Sequence, residues 1–263
     1  MHRQIMIFAL IAILTSGCQT GPSALDEAAT MVAQTVTARP PTATPTATST
    51  PLPTDTPTPL PTATQDIGAI ATAQASKILS EISAMVEETV PYADGHLIWQ
   101  QTEATTIQMS GPATSIKAVD GQPTAGDFII KSDVTWSTSG LILCGIVFRS
   151  EEDVQNGKQY QFLYLRLSGL PAWAIEVHEF GQFRNSPTKI KFSDTIDLDN
   201  EATNQLILVV QDETFTLYIN NQRQGKYYDY SKQRNQGTFA FLGSQDSGKG
   251  SCTFENSWVW ALE

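Results

Sequence analysis

The chain has 263 residues, with 27 acidic and 16 basic side chains and a net charge of −11. That length leaves room for one large domain or two small ones, and the charge has the wrong sign for a duplex-binding surface. A long multidomain enzyme and a nucleic-acid partner are therefore both excluded. Charged residues make up 16% of the chain and apolar residues 41%. The shortage of charge comes from one biased stretch, so the chain is not uniformly globular.

Residues 1–18 read MHRQIMIFALIAILTSGC. A basic Arg3, an apolar run from Ile5 to Leu14 and the small residues Thr15, Ser16 and Gly17 have the layout of a secretory signal. The run is shorter than the roughly 20 apolar residues of a transmembrane helix. Its end, Leu14-Thr15-Ser16-Gly17-Cys18, resembles a bacterial lipobox, with the leucine four residues before the cysteine rather than three. The resemblance implies lipidation of Cys18 and an exported protein, anchored to the bacterial cell membrane with its domain facing outward. Each buried CH₂ of the acyl chains contributes about 0.8 kcal/mol to such anchoring. With Cys18 modified, Cys144 and Cys252 remain as an even pair in an oxidising compartment. Both sit in apolar, strand-like runs and are read either as a disulfide or as two buried thiols.

Residues 19–64 read as a low-complexity stalk. From Pro40 to Thr64 the chain holds eight prolines and a single charge, Asp55. Proline removes backbone donors, and Thr, Ala and Ser bury little apolar area, so the segment builds no core. The composition favours a disordered, semi-rigid polyproline spacer whose proline-rich part reaches about 75 Å. In residues 65–90, Ile67, Ala71, Ala75, Ile78, Ile82 and Met85 recur every three or four positions and Pro91 follows. This is an amphipathic helix with a stop signal. Its apolar seam is expected to lie against the following domain, with self-association as the alternative.

Residues 91–263 carry the punctuation of strands. Eight runs, DFIIKSDVTW, LILCGIVFRS, YQFLYLRLSG, AWAIEVHEFG, NQLILVVQD, TFTLYINNQ, GTFAFLGS and SCTFENSWVWAL, are rich in β-branched and aromatic residues and separated by turn formers. With no helical pattern between them, they predict an all-β, two-sheet antiparallel sandwich. The successive motifs Gly145–Arg149, Tyr160–Phe162, Asn204–Val210, Phe215–Asn220, Gly237–Phe241 and Phe254–Trp260 resemble concanavalin A-like lectin/glucanase domains. Within that superfamily the chain looks most like laminin G-like domains and 3-keto-disaccharide hydrolase or family 16 glycoside hydrolase-like modules. The resemblance implies a jelly-roll sandwich, and a superfold of that kind hosts lectins, hydrolases and adhesion modules alike.

Retaining glucanases of that superfamily place carboxylates at alternate strand positions, about 5 to 5.5 Å apart. The nearest stretch here is Glu176-Val177-His178-Glu179. His178 stands where the middle acid would be, and Glu179 points to the opposite face from Glu176. Glu176 and His178 are thus weak catalytic candidates, and a non-catalytic domain is the leading expectation. Three histidines, His2, His96 and His178, are too few for a zinc site. Asp197 and Asp199, in the oxygen-rich run 194–201, are the only calcium candidates, and an acidic, solvated turn is the preferred reading. No cofactor is expected, with calcium left open.

Alternation on YQFLYLRL sets Tyr160, Phe162, Tyr164 and Arg166 on one face and Leu163, Leu165 and Leu167 on the other, and the leucine face is expected to be core. On AWAIEVHEF, Glu176, His178 and Phe180 oppose Trp173, Ile175 and Val177. Phe162, Tyr164, Arg166, Glu176 and His178, with Arg149 at the rim, are therefore expected to line a groove that binds sugar. Aromatic faces would stack on C–H groups while the polar side chains take hydroxyls. Tyr227, Tyr228 and Tyr230 form a second aromatic group, and Trp258 and Trp260 are expected to share a face with Phe254 and close the core. With 13 basic against 20 acidic side chains from Tyr92 onward, adhesion to anionic polymers is disfavoured. The leading expectation is a lipid-anchored surface protein whose sandwich binds a glycan or an envelope polymer. A sugar-processing enzyme and a structural module of the cell envelope are the alternatives.

Overall fold

A computed structural model of the chain describes residues 67–86 and 89–262. The signal with Cys18 and the Pro/Thr segment lie outside the described residues. The helix and the strands belong to the same compact unit.

The described residues form one helix, a short 3-10 turn and fourteen strands in two antiparallel sheets of seven. With strands numbered in chain order, the first sheet runs β1 (His96–Gln100), β14 (Lys249–Ala261), β4 (Phe128–Thr138), β10 (Thr203–Gln211), β11 (Thr214–Ile219) and β12 (Gln222–Tyr228), and β2 (Thr105–Ser110) also pairs with β14. The second runs β3 (Ala113–Ala118), β13 (Thr238–Gln245), β5 (Ile142–Ser150), β6 (Gln159–Leu167), β7 (Leu170–Glu179) and β8 (Gln182–Asn185), and β9 (Lys191–Phe192) also pairs with β7. The eight runs read from the sequence are β4, β5, β6, β7, β10, β11, β13 and β14. The other six are short or polar. In β12, QRQGKYY, no apolar alternation marks a strand, because an edge needs only its backbone paired on one side.

Between the sheets lies an aromatic core. Phe148 stacks on Tyr160 at 5.3 Å, Trp136 on Tyr164 at 4.4 Å and Phe241 on Phe254 at 4.4 Å. Cys144 of β5 and Cys252 of β14 are bonded as a disulfide that ties one sheet to the other, which resolves the two readings of that pair in favour of the bridge.

The helix α1 (Ile67–Met85) covers the outer face of the first sheet. Ile78 and Ile82 are buried with Ile129, Ile207, Val209, Trp258 and Trp260. Glu81 clasps the contact by accepting hydrogen bonds from Nζ of Lys131 at 3.2 Å and Nε1 of Trp258 at 3.3 Å. The seam therefore lies against the domain, as expected.

Two assignments of strand faces are corrected. On β6 the aromatic face, not the leucine face, fills the space between the sheets: Phe162 and Tyr164 are fully buried there. Leu163 and Leu165 point outward into a separate apolar cluster with Val147, Ala172, Ala240 and Leu242. Alternation cannot say which of two apolar faces is core. The deep inter-sheet layer takes the larger rings, and the tyrosine hydroxyls find partners inside it, Tyr160 at the Asp229 carboxylate and Tyr164 at the Val134 carbonyl. On β14, Trp258 and Trp260 do not share a face with Phe254. The register shifts between Glu255 and Trp258, with Asn256 at a φ of 50°. This bulge turns the tryptophans outward beneath α1, while Phe254 stays in the core.

Candidate functional site

α1 lies on the first sheet, and the outer face of the second sheet carries a groove. Its volume is about 310 Å³, within the range of small-ligand clefts. Strand pairing explains its composition. Gln161 of β6 sits opposite Glu176 of β7, Gln159 opposite His178, and His178 opposite Phe183 of β8, so these five side chains share one face. Leu163, Leu143, Leu242 and Ile116 supply an apolar floor. Gly145 keeps that floor low, since a Cβ there would lie 2.9 Å from Cδ2 of Leu163 and 2.5 Å from the Phe162 carbonyl oxygen.

The loop between β5 and β6 closes one end of the groove. Oδ1 of Asp153 accepts the backbone N–H groups of Gln155 and Asn156, and Oδ2 accepts the Asn156 amide at 3.0 Å. These bonds hold the Asp153 carboxyl below its ordinary pKa, the Asn156 side chain being the largest cause. Gln155 then donates to the Ile116 carbonyl at 2.6 Å, and the Asn156 carbonyl accepts the Phe180 N–H at 2.7 Å. The loop is thus fastened to both sides of the groove.

The polar groups of the groove are oriented but not saturated. Nε2 of His178 lies 2.8 Å from Oε2 of Glu176. Gln159, only 1% exposed, accepts from the Ser150 hydroxyl through Oε1, and its NH₂ has no partner among the described residues. Gln161, 4% exposed, has no side-chain partner among them at all, although it lines the groove. Neither amide is among the solvent-sealed side-chain atoms that lack a partner, so both keep their free hydrogen-bonding capacity open to the groove. Phe183, more than half exposed, packs edge-on to His178 with ring centres 6.0 Å apart.

Of the residues expected from the sequence, Glu176 and His178 line the groove and the others do not. Phe162 and Tyr164 lie in the core, one strand face away. Arg166 shares their parity and reaches Asn200 Oδ1 at 3.3 Å. Arg149 is not at the groove rim: it is buried, with Nε donating to the Gly126 carbonyl at 2.9 Å, Nη1 to the Arg234 carbonyl at 3.2 Å and Nη2 to Asp127 at 3.3 Å. Burial lowers its pKa, and Asp127 opposes that shift. Glu179 pairs with Arg184 at 3.3 Å and stays out of the groove, leaving Glu176 as its one carboxylate among the described residues. Asp197 accepts the Asp199 N–H at 2.9 Å within a turn, and among the described residues no group of three or more acidic, His or Cys side chains is gathered for a metal. Gln159, Gln161 and Phe183 were not anticipated. The signal was the pairing of β6 with β7, which places alternate residues of both strands on one surface.

Tyr227 packs on Trp173 at 5.5 Å, whereas Tyr228 and Tyr230 are exposed at the edge of the first sheet. Among the described residues no helix is long and apolar enough to cross a membrane.

No family model and no curated protein matches this sequence. Among solved structures, the chain is similar to a carbohydrate-binding module of Bacillus subtilis, with a TM-score of 0.44 and 18% identity over 60% of this chain and 91% of the other. It is also similar to a β-glucanase of Bacillus licheniformis, with a TM-score of 0.41 and 8% identity over 60% of this chain and 78% of the other. A sheep galectin aligns with a TM-score of 0.35 and 12% identity over 55% of this chain and 98% of the other.

Proposed function

We propose that the sandwich is a glycan-binding module and that its ligand occupies the groove over Gln161, Glu176 and His178. The observation that carries this reading is the pair Gln159 and Gln161, where the Gln159 NH₂ and the whole Gln161 amide open onto an apolar-floored groove with hydrogen-bonding capacity that no described residue uses. A sugar ring offers what such a surface lacks: C–H groups for the leucine floor and the Phe183 face, and hydroxyls that both donate and accept toward amide, carboxylate and imidazole. With one carboxylate in the groove, the arrangement favours binding over hydrolysis by a two-carboxylate mechanism. The lipobox-like sequence at Cys18 and the Pro/Thr spacer support display of this module outside a bacterial membrane. Export and lipid attachment are tested by whether Cys18→Ser releases the protein from the membrane fraction.

The binding test is a thermal-shift and calorimetric screen of the full chain against mono- and oligosaccharides, with calcium and with chelator. A ligand that binds only the folded state raises the midpoint. Gln161→Leu is expected to weaken a bound sugar roughly tenfold, the worth of about one hydrogen bond. It should leave the ligand-free midpoint nearly unchanged, because the Gln161 amide makes no protein hydrogen bond and opens to the groove. A sugar bound equally well by the variant would place the site elsewhere, and no binding across the panel would point to the structural module of the envelope instead.

A further inference from the structure

We infer that a second ligand subsite lies at the sandwich edge beside β9, and that it engages a further ring of the same linear polysaccharide held by the groove; this rests on the glycan reading above. The edge carries a cleft of about 650 Å³ where β9 of the second sheet approaches β12 of the first. Its apolar side is Phe192, Leu170 and Pro171, and Phe192 is 67% exposed and Leu170 54%, an arrangement that leaves an aromatic face presented to solvent.

The polar side is pre-positioned. The Ser193 hydroxyl donates to Oε1 of Gln224 at 2.7 Å and lies 2.8 Å from the Thr195 hydroxyl, which accepts from Nε2 of Gln224 at 3.1 Å. That closed ring fixes three side chains before any ligand arrives. Asp194 stands beside it in the cleft, and its carboxylate has no partner among the described residues. Both N–H groups of Gln224 are spent inside the cleft, on Thr195 and on the Gln222 carbonyl, so the groups left for a ligand are the Phe192 ring and the Asp194 carboxylate, an aromatic platform flanked by an acceptor of the kind that takes a sugar ring. An extended peptide fits less well, since β9 is two residues long and offers little backbone for strand addition.

The strand register joins the two places. Leu143, which lines the groove, sits opposite Leu165, Leu165 opposite Ala172, and Ala172 opposite Phe192. Leu165 and Ala172 belong to the same outward apolar cluster as the groove floor. Leu165 and Ala172 are themselves buried, but only three inter-strand steps, about 14 Å, separate Leu143 from Phe192, so one linear polymer lying across the strands is long enough to reach both places. Engaging both at once makes the second contact intramolecular and raises affinity without altering either site.

The test uses the full chain and short and long members of linear β-glucan, xylan and fructan series. Long oligomers are expected to bind at least about tenfold more tightly than short ones. Phe192→Ala and Asp194→Ala should remove that gain while leaving short-oligomer affinity and thermal midpoint unchanged, both side chains being exposed. Affinity that is independent of length, or a gain that survives both substitutions, overturns the second subsite and leaves the groove reading standing. Binding that needs Phe192 but is indifferent to Gln161→Leu removes the groove from the site and overturns the shared track. Binding of an unstructured peptide at the edge in place of any oligosaccharide, or no binding at any length, overturns it as well.

Discussion

Glu176 and His178, two residues apart on β7, meet at 2.8 Å on the outer face of the second sheet. An ionised carboxylate only accepts, so the bond fixes the imidazole with its Nε2–H toward Oε2 and leaves the other carboxylate oxygen to the groove. Across the strand, Gln161 and Glu176 are paired, so amide and carboxylate face the same space. The result is a hydrogen-bonding wall over a leucine floor, with Phe183 packed on His178 beside it.

The helix contributes to the fold and not to the groove. Ile82 is fully buried against the first sheet, and Glu81 satisfies both Lys131 and the Trp258 indole. Ile82→Ala is expected to cost about 2–5 kcal/mol, transfer and cavity terms together. Urea denaturation should read this as a lower midpoint, with affinity for any groove ligand unaltered in the folded fraction.

The Cys144–Cys252 bridge closes a loop spanning 108 positions and joins the two sheets. Removing it releases that constraint on the unfolded chain, at a cost of about 2–5 kcal/mol. Denaturant unfolding with and without reductant should show this loss in the wild type and no reductant effect in the double variant Cys144→Ala, Cys252→Ala.

Arg149 tests the distinction between a rim residue and a structural one. Its guanidinium donates to two backbone carbonyls and to Asp127, while its own carbonyl accepts from Arg234 at 2.7 Å. Arg149→Ala strands those acceptors and should cost about 3 kcal/mol or more. A variant with lowered midpoint and unchanged ligand affinity fits this placement, and a selective loss of affinity at unchanged stability would contradict it.

Alkaline pH should unfold the protein through its buried phenols. Burial raises the pKa of Tyr164 well above 10.0, and burial followed by the hydrogen bond to Asp229 raises that of Tyr160. Because the folded state holds these protons more tightly than the unfolded state, the stability they contribute is whole below pH 10 and falls as pH rises above it. Phenolate absorbance followed alongside circular dichroism should show part of the tyrosine titration coinciding with loss of structure. Tyr164→Phe should move the alkaline transition upward while costing about 1 kcal/mol at neutral pH for the bond to Val134.

Composition and alternation were enough to establish the all-β class, the eight long strands, the amphipathic helix and the parity of Glu176 with His178. Each is a local property: a period of two or 3.6 written into neighbouring residues. The inward face of β6 was not legible, because YQFLYLRL offers two apolar faces and only the depth of the inter-sheet space selects the rings over the leucines. Nor was the reversal at Asn256, since one inserted residue exchanges the faces of all that follow it. The groove itself belongs to tertiary structure. Gln159 and Gln161 acquire meaning only when β7 pairs beside β6 and the β5–β6 loop folds over them, a consequence of register between segments that the chain's local pattern does not contain.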